Sequence, residues 1–202
     1  TRLEAGVCGR IPPLRGPEKA EAAGAAGWRS RLRAAIVREE ATLLVVNKPP
    51  GLAVHGGSGV NVGLIETLRA MYDTDRYLEL VHRLDRDTSG LLLVARRAST
   101  LRRLHGLFRS NGVDKRYLCL VSGRWPAQLK RVDAPLEKFA LPSGERRVKV
   151  AATGRQSLTT FRVVTRWPSM TLVEAKPVTG RTHQIRVHCQ HAGFPILGDA
   201  KY

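Results

Sequence analysis

Val81-His82-Arg83-Leu84-Asp85-Arg86-Asp87-Thr88-Ser89-Gly90 runs without a break into Leu91-Leu92-Leu93-Val94-Ala95-Arg96. The second half is a short apolar run of the kind that forms a buried strand. The first half crowds two carboxylates and two guanidiniums into one loop. Such a loop is anchored on the strand side and open on the other. Charges held at that edge are costly unless they are paired or used. The plain reading is a salt-bridged turn, and the functional one is a site built around Asp85 or Asp87.

Outward from this stretch, the chain reads as short strands separated by a few helices. ATLLVVNK (41–48), GLLLVAR (90–96), RYLCLVSG (116–123), RRVKVAA (146–152), LTTFRVVTRW (158–167) and MTLVEAKP (170–177) are β-branched, apolar segments. Leu64, Leu68 and Met71 recur at helical spacing within 61–72, and Leu101, Leu104 and Phe108 do so within 99–110. Residues 182–192 form a third helical candidate after Gly180. Trp28–Val37 stays open between helix and strand. The pattern predicts a mixed α+β fold with a mainly antiparallel sheet. Residues 1–27, with Pro12, Pro13, Pro17 and an Ala/Gly stretch, read as a linker or the frayed end of an upstream module. A chain that starts at Thr1 reads as a fragment or a processed form.

Charge narrows the function. The 202 residues carry 34 Lys and Arg against 17 Asp and Glu, a net charge of +17. Residues 1–40 hold +3 of it and the remainder +14. Such a field attracts a polyanion and speeds its encounter, and Arg suits phosphate and base contacts. A hydrophobic content of 43% is that of a globular chain. No apolar run is long enough for a bilayer, and nothing resembles a signal peptide. Cys8, Cys119 and Cys189 form no CxxC pair, and their odd number argues for a reducing compartment rather than a disulfide framework.

Three chemistries fit the Asp85 loop. Asp85-x-Asp87 resembles the nucleophile loop of Mg²⁺-dependent phosphatases, but there the strand precedes the motif. Asp87-Thr88-Ser89-Gly90 resembles an aspartic-protease turn, but no second copy exists. The third option makes Asp85 a nucleophile or base, with arginines governing its ionisation and a bound phosphodiester, and this one agrees with the charge. In 179–191, His183, His188 and His191 fit no standard zinc spacing, and Arg181 and Arg186 among them oppose a cation. The arginines read as phosphate or carboxylate partners. Tyr117, at a strand entrance behind Lys115 and Arg116, reads either as a core tyrosine or as a platform for a base. Gly56–Gly59 lacks the Walker pattern and reads as a flexible turn. Seven cations lie between Arg96 and Arg116 against one acid, Asp114, which marks an RNA-facing surface.

The segments NKPPGLAVHGG (47–57), HRLDRDTSGLLLVAR (82–96), KRYLCLV (115–121) and TGRTHQIRVHCQHAGFPILGDAKY (179–202) together resemble, in order, the signature blocks of the RluA-type pseudouridine synthases. The resemblance is greatest to the RluC branch, which acts on large-subunit ribosomal RNA. It implies the pseudouridine-synthase fold, a mixed and mainly antiparallel sheet flanked by helices and loops, with a basic cleft. It implies that Asp85 is the catalytic aspartate, that Arg83 fills the gap left by the flipped uridine, and that Tyr117 stacks on the uracil and assists removal of the C5 proton. Arg186 would pair with Asp85, and Leu84 and Ile185 would pack near the base. His82, Arg86 and Arg181 are read with Arg83 as contacts for RNA binding and base flipping. No metal and no cofactor are expected, because the isomerisation gains and loses no atoms.

The same resemblance assigns residues 1–40 to the end of an S4 RNA-binding domain plus linker, and 41–202 to a catalytic domain lacking its last strands. The expected partner is ribosomal RNA, and the expected setting is a monomer in the bacterial cytoplasm. The competing readings are a non-catalytic RNA-binding or ribosome-assembly module and the Mg²⁺-dependent phosphatase.

Overall fold

The computed structural model describes residues 23–56, 63–73 and 77–202. The chain divides into two compact units, 1–101 and 102–202. The first unit holds α1 (Ala23–Ala35), β1 (Ile36–Glu39), β2 (Leu43–Lys48), α2 (Leu64–Met71), β3 (Glu79–Leu80) and β4 (Gly90–Ala95). Its strands form one sheet in the order β1-β2-β4-β3, every pair antiparallel. The two-residue alternation of a strand decides which side chains go inward. In β2 it buries Leu44, Val46 and Lys48 on one face. Their partners across the ladder are Val94, Leu92 and Gly90. Leu64, Ile65 and Leu68 of α2 and Leu32 of α1 complete this core. Lys48 is therefore carried to the end of an apolar face, opposite the glycine that opens β4.

The division falls within α3 (Ala98–Arg109). The second unit continues with β5 (Tyr117–Ser122), β6 (Arg131–Asp133), β7 (Leu136–Ala140), β8 (Arg146–Val150), β9 (Leu158–Arg166), β10 (Met170–Pro177) and α4 (Gln184–His191). Its main sheet runs β5-β10-β9-β6, again antiparallel, and β7 and β8 form a separate hairpin. Cys119 and Val121 from β5, Phe161 from β9, and Val173 and Ala175 from β10 meet Cys189 of α4 in its core. Trp125 lies in the middle, its ring 4.6 Å from Phe161 and 5.3 Å from Phe194 between centroids. Its indole N–H donates to the Leu129 carbonyl at 2.9 Å. None of the four described helices is long and apolar enough to cross a membrane.

All six strands read from the sequence are present, as are the three helices within one to three residues of their expected starts and ends. The differences lie where elements are short or where the pattern is mixed. Trp28–Val37 is both things at once: α1 runs to Ala35 and β1 starts at Ile36. The sequence places the start of the core at residue 41, whereas β1 pairs with β2 and Leu32 is fully buried, so this sheet and its helix reach back beyond that point. Residues 23–27, read as linker, belong to α1. β3 and β6 have two and three residues, too few for a periodic signal. Gly57–Gly59 of the proposed flexible turn, Cys8 and residues 1–22 lie outside the described residues.

Trp125 provides the check on this core. Truncation to alanine removes two aromatic contacts and leaves the Leu129 carbonyl without its donor. The expected loss is about 3–5 kcal/mol of unfolding free energy. Urea denaturation followed by far-ultraviolet circular dichroism measures it.

Candidate active site

The loop that carries Asp85, residues 81–89, lies between β3 and β4. Its first residues are stitched to β4: the Val81 N–H donates to the Leu93 carbonyl at 3.0 Å, and His82 Nε2 accepts from the Leu93 N–H at 3.2 Å. His82 is thus half-buried scaffold at this nitrogen, rather than a side chain wholly given to RNA. Leu84 is buried and anchors the middle of the loop. Around it Arg83, Arg86 and Asp87 are exposed and Asp85 is half-buried. The Thr88 N–H closes a turn on the Asp85 carbonyl at 3.2 Å, and Arg86 Nε reaches Asp87 at 3.3 Å. Gly90 follows at φ 124°, a conformation in which any side chain is strained, and turns the loop into β4.

The base of the loop is held by Lys48, a residue for which the sequence alone predicts no role. Its Nζ donates three hydrogen bonds, each 2.9 Å, to the carbonyls of Pro49, Leu52 and Arg86. The Gly51 N–H donates to the same Arg86 carbonyl at 2.9 Å, with Gly51 at φ 83°. Burial pulls the Lys48 pKa down to about 8, against the opposing pull of Asp87 and Asp85. The lysine-diproline-glycine segment is therefore a strap: it ends β2, turns, and binds the loop that carries Asp85 from beneath. The signal available in the sequence was a cation at an inward position of a strand that is otherwise apolar there.

Tyr117, Arg181 and Arg186 belong to the second unit. Tyr117 is half-buried at the first position of β5, opposite Ala175. The cations before it are not equivalent. Arg116 is held by Asp114 at 2.8 Å, and Asp114 also receives Lys176 at 2.6 Å. Burial lowers the pKa of the half-buried Lys115.

Arg186 lies on α4 and forks onto Asp199, Nε to Oδ2 at 2.6 Å and Nη2 to Oδ1 at 2.8 Å. Its guanidinium also stacks 4.9 Å from the centre of the Tyr202 ring. Burial raises the Asp199 pKa, but the fork and the backbone N–H groups of Lys201 and Tyr202 outweigh it, so the carboxyl sits below its ordinary value. Between Glu174 and the end of the chain Asp199 is the sole acid, which was the clue to its importance.

The histidine-rich block is a polar lock beneath these arginines. His188 is fully buried: Nε2 meets the Ala134 carbonyl at 3.0 Å and Nδ1 meets Thr159 Oγ1 at 2.9 Å. A carbonyl only accepts, so Nε2 carries the proton and Nδ1 accepts from the threonine. Burial lowers the His188 pKa, which keeps this neutral arrangement. Gln184 adds Nε2 donors to Leu158 O and Thr159 Oγ1, while its Oε1 accepts from Thr179 and from the Arg181 N–H. The start of α4 is thereby fixed on β9. His183 takes φ 53° and bonds the Tyr202 hydroxyl at 2.6 Å, whereas His191 is exposed. Arg181 is exposed, with Nε on the Gln156 carbonyl at 3.1 Å.

The chain resembles known proteins over most of its length. The profile described as RNA pseudouridylate synthase matches residues 42–191. Ribosomal large subunit pseudouridine synthase C of Escherichia coli strain K12 is 53% identical over 203 aligned residues, covering all of this chain and 64% of that protein. The protein of the same name from Pasteurella multocida is 52% identical, with 62% of its length covered. The chain thus spans less than two-thirds of the length of these curated relatives. Among solved structures, human RNA pseudouridylate synthase domain containing 4 superposes with a TM-score of 0.71 at 29% identity, covering 89% of this chain and 72% of that one.

Lys48 makes the pH dependence of stability testable. A folded pKa near 8 against the ordinary 10.5 means that the unfolded chain binds the proton more tightly. On this group alone, stability is lowest below pH 8 and rises as pH climbs from 8 toward 10.5. Relative to Lys48→Met, the parent chain gains stability between pH 7 and pH 9.5 in urea titrations. The same variant exchanges the Gly51 and Thr88 amide hydrogens faster than the parent, because the strap beneath the loop is gone.

Proposed function

Because the chain belongs to the RNA pseudouridylate synthase family, we propose that it isomerises uridines of large-subunit ribosomal RNA to pseudouridine, with Asp85 as the catalytic carboxylate. The observation that carries the reading is the Asp85 loop itself: a half-buried carboxylate next to a buried leucine, flanked by exposed arginines and strapped from below by Lys48. A loop pinned at both ends presents its acid in a fixed place, which catalysis by positioning requires.

The reaction breaks the N1–C1′ glycosidic bond, turns the uracil, and joins C5 to C1′. The proton on C5 then leaves and N1 gains one, so atoms balance without an oxidant or a second substrate. The uridine first leaves its stack, at a cost of about a few kcal/mol. Arg83, exposed on the same loop, stacks in the vacancy, with His82 and Arg86 beside it and Arg181 on the phosphates. Asp85 acts in its ionised form, either by attacking the sugar or base or by removing the C2′ proton. Arg186, its guanidinium held by Asp199, is proposed as the cation that acts with Asp85 on the substrate. Tyr117 stacks on the uracil and assists departure of the C5 proton. In this reading the enzyme works as a cytoplasmic monomer on ribosomal RNA and needs no cofactor.

Tritium release from RNA labelled at uridine C5 tests the assignment. Asp85→Asn is expected to lower release by about a thousandfold or more while RNA affinity is largely kept. Release at the parental rate removes Asp85 from the mechanism. A parent chain that binds RNA and releases no tritium instead supports the non-catalytic RNA-binding reading. Arg186→Met is expected to slow turnover roughly ten- to a hundredfold, and an unchanged rate removes its proposed role.

A further inference from the structure

The cations between Arg96 and Arg116 fall into two groups in the structure. Arg96 is paired with Glu39 at 3.1 Å, and Arg116 with Asp114 at 2.7 Å. Elsewhere Arg69 has Glu79 and Arg162 has Glu174. On α3 no such pairing occurs among the described residues. Arg102, Arg103 and Arg109 are exposed, and among the described residues none of them has a carboxylate partner. No acid occurs anywhere between Asp87 and Asp114.

The helical period explains which face these residues share. Residues three, four and seven apart lie on one side, so Arg102, Gly106 and Arg109 form a line and Arg103 flanks it. The opposite side carries Leu101, Leu104 and Phe108, all half-buried. A solvated helix ordinarily gains from acid–base pairs four residues apart, and like charges at close spacing oppose it. Gly106 adds a further cost relative to alanine in a helix interior. Packing does not demand that glycine: a Cβ built there meets nothing within 4 Å. A face that departs from helix stability in two ways, with no internal contact to justify either, points to something outside the chain.

We propose that this face of α3 is a docking surface for the RNA phosphate backbone, separate from the residues that handle the target uridine. The proposal rests on RNA being the substrate. Arg102, Arg103 and Arg109 supply guanidiniums that are not already neutralised, and Gly106 lets the strand approach the helix between them. The contribution is electrostatic and independent of base sequence.

The test replaces the three arginines together by glutamine and follows binding of a uridine-containing RNA stem-loop as salt is raised. Each lost phosphate contact flattens the slope of log affinity against log salt by about 0.7–0.9, so a decrease of about 2–3 is expected. At about 0.15 M salt KM rises tenfold or more while kcat changes less than twofold. Substitution of all three by lysine is expected to restore the slope, which separates charge from folding, and circular dichroism melting confirms that both variants are folded. An unchanged slope overturns the proposal. A flattened slope alongside a fully active Asp85→Asn variant keeps the RNA surface and rejects only the catalytic assignment.

Discussion

The buried ammonium of Lys48 is the constraint on which the first unit is organised. An amine carried to the end of an apolar strand face must find acceptors, because a desolvated charge without them costs several kcal/mol. The chain supplies three carbonyls, and each comes from a different place: the next residue, the turn that follows, and the loop before β4. The third is the consequential one. It joins residue 48 to residue 86 and makes the position of the Asp85 loop a by-product of satisfying a lysine. Two prolines after Lys48 stiffen the turn, and a glycine at positive φ lets the backbone N–H of residue 51 reach the same carbonyl. None of these groups needs to touch a substrate, yet all of them determine where the carboxylate stands.

The second unit reaches a similar end by hydrogen bonds between neutral groups. Gln184, Thr159 and His188 form a directional chain in which every donor has one acceptor, ending on the Ala134 carbonyl. Such a network is costly if one member is missing and rigid when complete. It fixes the helix that bears Arg186, and Asp199 fixes the guanidinium itself through two short bonds. The three histidines, whose spacing already spoke against a zinc site, are divided: His188 belongs to the lock, His183 to the Tyr202 hydroxyl, and His191 to the surface.

Strands were legible in the sequence where β-branched runs lasted six residues or more, since two-residue alternation then repeats often enough to be seen. β3 and β6 are too brief for that, and β1 was hidden because its Arg38 and Glu39 face solvent. The proposed site residues stand out in the sequence by type, Asp85 as an acid between arginines and Tyr117 as a tyrosine after two cations. The residues that hold them do not. Lys48, Gln184 and Asp199 act through long-range partners at separations of 38, 26 and 13 residues. A hydrogen bond to a backbone carbonyl leaves no mark on the identity of the residue that owns the carbonyl. Arg86 would receive Lys48 equally well with any side chain.

Scarcity of acids links these observations. With half as many carboxylates as cations, the fold cannot pair every arginine, and the placement of the acids decides which cations are fixed and which stay available. Asp199 is placed on Arg186, Asp114 on Arg116 and Lys176, and Glu39 on Arg96. Each of these pairs orders a side chain that is partly buried or bridges two segments. Arg102, Arg103 and Arg109, exposed on α3, have no acid partner among the described residues, and there water and salt screen their mutual repulsion. Net charge in this protein is thus not spread as a uniform coat. It is cancelled at the pairs that hold side chains between segments, and on α3 it is left uncancelled.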